Sequence, residues 1–213
     1  MAGCGCGNNE VKFEGLSQAY KRVLWVVIAI NAVMFFIEFG ASFLANSQAL
    51  QADALDFLGD TLTYTITFLV IGHTARWRAG AALFKGFTLL LMGLWVFGTT
   101  IYSTFYVNQP IESIMGSIAV TAFLANLTSA LLLMKYRDGD ANIRSVWLCS
   151  RNDAINNLLV LFVAGVVYLT QSHWPDVIAA LFMSGLFLHS ASLILKQAWE
   201  EWTKAPNVEC SID

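Results

Sequence analysis

The chain alternates long, predominantly apolar runs with short polar connections. Six such runs stand out, and they cover residues 23–45, 50–72, 81–106, 113–134, 145–169 and 175–195. About 20 apolar residues in an α-helix suffice to cross the hydrocarbon core of a bilayer. The pattern therefore predicts an all-α, polytopic membrane protein built as a bundle of six transmembrane helices.

Composition supports a membrane protein and leaves little room for a soluble domain. Of the 213 residues, 57% are hydrophobic and 13% are charged, whereas a soluble domain carries about 25% charged residues. The net charge of -3 gives no basic surface for nucleic acid. We predict a tail at 1–22 with a Cys-Gly-Cys sequence, a transmembrane domain at 23–196 and a tail at 197–213. The expected location is the cell membrane, the inner membrane in a bacterium.

Positive charge is distributed unevenly over the connections. Eleven of the twelve lysine and arginine residues lie in or next to the two tails, the second connection (Arg76, Arg78 and Lys85) or the fourth connection (Lys135, Arg137 and Arg144), and Arg151 is the exception. Loops rich in these residues stay in the cytoplasm. The sequence therefore predicts that both termini are cytoplasmic.

Two of the apolar runs carry ionisable side chains at helical spacing. Asp53, Asp56 and Asp60 are spaced by three and four residues, which places them on one helix face, and Cys149 and Asp153 are spaced by four. Ionisable groups within a membrane are costly and commonly mark a transport path or a proton relay. Each i, i+4 pair spans about 6 Å along its helix.

Two such pairs on facing helices would supply the four donors that a tetrahedral Zn²⁺ ion takes. The candidate donors are Asp56, Asp60, Cys149 and Asp153. Two other interpretations remain open from the residues alone: an acidic face balanced by Arg151, and a proton relay without metal.

Three segments resemble the cation diffusion facilitator family. They are "GASFLANSQALQADALDFLGDTLTY", "WLCSRNDAINNLLV" and "WPDVIAALFMSGLFLHSASLIL", and the resemblance extends over about residues 20 to 200. In that family a His or Asp precedes an Asp by four residues on helices 2 and 5. The resemblance assigns the metal site to Asp56, Asp60, Cys149 and Asp153, with Cys149 departing from the usual His or Asp.

The resemblance also implies a function. Family members export divalent metals against protons by alternating access, so we expect a non-enzymatic antiporter of Zn²⁺ or Cd²⁺, with Co²⁺, Ni²⁺ and Fe²⁺ as alternatives. Its partners would be metal ions, protons and the lipid bilayer, with no prosthetic group and with a second copy in a homodimer. Since about 17 residues follow Lys196, a short member without the family's cytoplasmic C-terminal domain is expected.

Several alternatives and secondary roles stay open. A membrane protein that binds or senses metal without translocating it is the alternative function. Glu38 could pair with protons or with Asn126, and Asp53 could act in packing or gating. Cys4 and Cys6 could capture a soft metal.

The fifth helix should begin earlier than its apolar run. If it began at residue 145, Asp153 would lie about 6 Å too low along the helix axis to face Asp60. A start near Ala141 brings the two carboxyl groups level. The sequence therefore predicts helical structure from about residue 141.

Overall fold

The computed structural model describes residues 17–70, 75–106, 109–136 and 141–204. Within these ranges the chain forms six α-helices and no β-strand. In chain order they are α1 (Gln18–Ala45), α2 (Gln48–Val70), α3 (Ala75–Tyr106), α4 (Glu112–Met134), α5 (Ala141–Thr170) and α6 (Trp174–Lys204). This confirms the predicted all-α bundle.

Five of the six helices are long and apolar enough to cross a membrane, and α2 is the exception. Its 23 residues would still extend about 34 Å, which exceeds the hydrocarbon thickness of a bilayer. The α2 helix therefore differs from the other five in its composition, because Asp53, Asp56 and Asp60 interrupt its apolar run. The chain is a multi-pass membrane protein.

Four helix ends extend more than two residues beyond the apolar runs, and two of them are the starts of α1 at Gln18 and of α3 at Ala75. The α5 helix begins at Ala141, which confirms the start that was predicted from the levels of Asp60 and Asp153. The α6 helix continues to Lys204, more than two turns beyond the run that ends at residue 195. Hydropathy alone cannot detect such extensions, because helix propensity continues where apolar character stops.

The most extensive helix contacts join α3 with α6, α4 with α5, and α1 with α2. The α2 helix also packs against α3, α5 and α6, so its acidic face lies inside the bundle. The outer surface is apolar: Phe36, Phe105 and Leu169 are 74%, 76% and 79% exposed. Such a surface suits contact with lipid rather than water.

Two glycines bring α3 and α6 close together. A side-chain carbon at Gly86 would lie 2.8 Å from Leu195 Cγ, and one at Gly93 would lie 2.9 Å from Leu188 Cδ2. The Ser184 hydroxyl donates a hydrogen bond of 2.9 Å to the Gly93 carbonyl oxygen. Small residues commonly allow this close approach between membrane helices.

Hydrogen bonds connect α6 to the turn between α1 and α2, and we call this end of the bundle the α1–α2 end. Asn46 ends α1 in the left-handed conformation, at φ 52°. Asp176 of α6 then accepts hydrogen bonds from the Ser47 hydroxyl at 2.6 Å and from the backbone N–H groups of Gln48 and Ala49 at 2.7 and 3.1 Å. A side chain of α6 therefore caps the start of α2, a role that was not predicted from the sequence.

Candidate metal centre

The acidic face of α2 points into the bundle. Asp53 is fully buried, and Asp56 and Asp60 are partly buried. The Tyr64 hydroxyl, one turn beyond Asp60, donates a hydrogen bond of 2.5 Å to Asp60 Oδ2. Tyr64 is itself completely buried, so it holds the Asp60 carboxyl group in the interior.

Asp153 of α5 meets this face. Its buried carboxyl group interacts with the carboxyl groups of Asp56 and Asp60. The Tyr64 hydroxyl lies 3.3 Å from Ser150 Oγ, which connects α2 with α5 directly next to the carboxyl groups. The three carboxyl groups predicted from the i, i+4 pairs are therefore brought together by the fold.

Cys149 lies at the edge of the same group. It is partly buried, and it interacts electrostatically with Asp56, Asp60 and Asp153. Within the described part of the chain, no three His, Cys, Asp or Glu side chains are already arranged as a metal-binding cluster. The four-ligand set therefore stays a prediction. In the structure the four side chains lie near one another, but they are not arranged around a common metal position.

Lys85 of α3 is a further charged group near the site. It lines a crevice between α2 and α3 together with Gly59 and Thr63, and its positive charge acts on Asp56 and Asp60. In the sequence, Lys85 stands only as one of the basic residues next to the second connection. Its position four residues inside the apolar run 81–106 was the feature of the sequence that could have indicated a place near the site.

Arg151 does not neutralise the acidic face. Its side chain is exposed, donates a hydrogen bond of 3.2 Å to Asn152 Oδ1 and lies 5.3 Å from the centre of the Trp147 ring. Because it is two residues from both Cys149 and Asp153, the helix turns it away from them. The interpretation as an acidic face balanced by Arg151 is therefore wrong.

Glu38 faces Asp53 and not Asn126. Met34, one turn before Glu38, packs against Phe57 and Ala122 in one buried cluster. The α4 helix starts at the α1–α2 end, where the Ile111 N–H donates to the Ala45 carbonyl oxygen at 2.8 Å. Asn126 therefore lies beyond this cluster on the side away from Glu38. The proposed Glu38–Asn126 pair is not supported, and Glu38 interacts with Asp53 instead.

Some sequence predictions fall outside the described residues. Cys4 and Cys6 belong to this group, so their capture of a soft metal stays a prediction. The side chains of Arg76, Arg78 and Arg144 lie outside the description as well, although their backbone is helical. The predicted cytoplasmic location of both termini also stays a prediction.

Comparison with known proteins shows which family the chain belongs to. The sequence model of the cation efflux transmembrane domain matches residues 24–201. The chain belongs to the cation efflux family. This confirms the resemblance to the cation diffusion facilitators, and the match includes most or all of each of the six helices.

Two curated proteins illustrate what the chain is similar to. The "Cadmium, cobalt and zinc/H(+)-K(+) antiporter" of Bacillus subtilis (strain 168) is 24% identical over 196 residues, covering 84% of this chain. The "Zinc transporter ZitB" of Yersinia pestis is 26% identical over 207 residues, covering 91% of this chain. The chain spans 62% and 66% of the lengths of these two relatives.

Proposed function

We propose that this cation efflux protein transports divalent transition-metal cations, with Zn²⁺ and Cd²⁺ as the main substrates, out of the cytoplasm in exchange for protons. The observation that carries the proposal is the meeting of Asp56, Asp60 and Asp153 inside a membrane bundle, with Cys149 beside them. Carboxyl groups gathered within a bilayer need cations or protons as partners. During transport, the exported metal ion and the returning protons would occupy the carboxyl groups alternately.

The donor types couple metal movement to proton movement. Carboxylate and thiolate ligands must lose their protons before they bind a metal, so loading releases protons and protonation releases the metal. If this exchange occurs with the site open to each side of the membrane in turn, the protein is an antiporter. Export is the direction that the family resemblance implies, and the positive charge of the connections predicts that both termini lie in the cytoplasm.

Donor chemistry also supports the choice of metal. Cys149 is the one soft donor among the four candidate ligands, and thiolates favour Zn²⁺ and Cd²⁺ over Mn²⁺ and Mg²⁺. The names of the two relatives, an antiporter of cadmium, cobalt and zinc and a zinc transporter, support the same group of ions. The homodimer implied by the family resemblance stays part of the proposal.

Purified protein in liposomes tests the proposal. Vesicles with an acidic interior and a Zn²⁺-sensitive dye should take up external Zn²⁺ while their internal pH rises. The matched control is the double variant Asp60→Ala/Asp153→Ala, which should insert normally and carry no flux. Metal binding without flux in the wild type would overturn transport and support a metal-binding or sensing protein.

A further inference from the structure

A second pair of carboxyl groups lies in the interior, apart from the candidate metal centre. Glu38 of α1 is 0% exposed and Asp53 of α2 is 1% exposed, and the two groups lie beside each other. Apart from a hydrogen bond that the two carboxyl groups can share, Glu38 Oε1, Glu38 Oε2 and Asp53 Oδ2 have no hydrogen-bond partner among the described residues. Buried polar atoms are normally satisfied, so three free oxygens at one place require an explanation.

The position of the pair relates it to the metal centre. Asp53 precedes Asp56 by three residues and Asp60 by seven, which corresponds to about 4.5 Å and about 10 Å along α2. The charged groups that act on Glu38 are Asp53 and then Asp56, whereas Lys85 acts on Asp56 and Asp60. The pair therefore lies between the metal centre and the α1–α2 end.

The free oxygens are a donor set for a hard or borderline cation. They come from two helices that face each other, and Glu38 directs an otherwise unpartnered, fully buried side chain at the acidic face of α2. Carboxylate oxygens bind divalent ions with little discrimination by softness. Two carboxylates with water completing the shell would hold an ion more weakly than four protein ligands, and a weak site releases its ion readily.

We propose that Glu38 and Asp53 form a second divalent-cation site, a relay position between the Asp56, Asp60 and Asp153 centre and the α1–α2 end. This inference rests on the proposed transport function. The three aspartates of α2 then provide successive binding positions, and an ion moves from one to the next along a single helix face. Because the relay has only oxygen donors, selection between Zn²⁺ and Mn²⁺ takes place at the centre that contains Cys149.

Equilibrium binding of Zn²⁺ to the full chain in detergent tests the relay. All measurements use a Cys4→Ser/Cys6→Ser/Cys210→Ser background, which removes the thiols of the two tails. The double variant Asp60→Ala/Asp153→Ala should lose the tighter site and keep a weaker one. Adding Glu38→Gln should abolish the weaker site, adding Glu38→Asp should retain it, and the control Glu112→Gln on α4 should leave it unchanged.

Liposome flux separates this proposal from the transport function. Glu38→Gln alone should keep the tighter site and slow Zn²⁺ flux by about tenfold, an effect typical of losing a group that supports a metal site. A wild type with flux but no weaker site, or a weaker site that survives Glu38→Gln, would overturn the relay and leave transport standing. A Glu38→Gln variant that binds both ions and loses only the pH dependence of flux would also overturn it, because the pair would then hold a proton.

Discussion

At the scale of single residues, Cys149 is the side chain that we expect to decide metal preference. Its thiol is the soft donor beside three carboxyl groups. We predict that Cys149→Asp extends transport to Mn²⁺, that Cys149→His keeps Zn²⁺ and weakens Cd²⁺, and that Cys149→Ser weakens both. Flux of each ion into liposomes, compared within one preparation, measures these ratios.

The alternative role of Cys149 is packing alone. The residue contacts the buried cluster around Tyr20, Leu24 and Val146, and a free cysteine often acts as a small apolar side chain. In that case Cys149→Ser would leave the ratio of Zn²⁺ to Cd²⁺ flux unchanged, and Cys149 would be removed from the proposed ligand set.

Lys85 should tune the affinity of the same centre. Its charge acts on Asp56 and Asp60, and a cation near the ligands competes with a bound metal. We predict that Lys85→Met tightens Zn²⁺ binding by up to about tenfold, the scale expected for one partly screened charge at close range. Lys85→Arg should preserve the wild-type affinity.

Binding titrations in detergent measure the effect of Lys85. The control Lys135→Met removes an exposed lysine at the end of α4 and should not alter the affinity. Equal affinities in Lys85→Met and the wild type would show that the ammonium group does not reach the carboxyl groups.

At the scale of helices, the α1–α2 end depends on a capping residue from another helix. Asp176 satisfies the Ser47 hydroxyl and two backbone N–H groups at the start of α2. We predict that Asp176→Ala destabilises the bundle by about 2 kcal/mol, since it removes a helix cap and charge-assisted hydrogen bonds. Asp176→Asn, which keeps one acceptor oxygen, should lie between Asp176→Ala and the wild type.

Thermal unfolding in detergent measures the stability of these variants. Glu112→Ala is the control, because Glu112 also lies in the first turn of a helix but belongs to α4. If Asp176→Ala unfolded at the wild-type temperature, the hydrogen bonds of Asp176 would not contribute to stability.

Close contact between α3 and α6 makes a second prediction at this scale. A side-chain carbon at Gly86 would lie 2.8 Å from Leu195 Cγ, whereas Gly98 has no heavy atom within 4 Å of that position. We predict that Gly86→Ala costs about 1–3 kcal/mol through overpacking, and that Gly98→Ala on the same helix is tolerated. Adding Leu195→Ala to Gly86→Ala should restore part of the loss in thermal unfolding, and a lack of rescue would contradict this packing.

At the scale of the whole molecule, proton coupling should appear as a pH dependence of metal affinity. Metal loading releases protons from the ligands, so lower pH opposes binding and higher pH favours it. We predict that Zn²⁺ affinity weakens steadily as pH falls, and that Zn²⁺ binding in weakly buffered solution acidifies it. An affinity independent of pH, with no proton release, would exclude proton antiport through this site.

Those features of the protein that depend on local pattern could be predicted from the amino-acid sequence. Apolar runs gave six helices, because the bilayer requires each crossing segment to satisfy its own backbone hydrogen bonds. Spacings of three and four residues placed Asp53, Asp56 and Asp60 on one face, since the helical repeat is fixed. The start of α5 at Ala141 followed from the same geometry.

Which helix faces meet depends on packing between helices and could not be predicted from the sequence. Asp176 caps a helix 128 residues earlier in the chain, Glu38 lies beside Asp53, and Lys85 lines the crevice between α2 and α3. Each of these contacts depends on the rotation and the relative height of two packed helices. Hydropathy and helical spacing describe one helix at a time, and side-chain packing between helices fixes the rest.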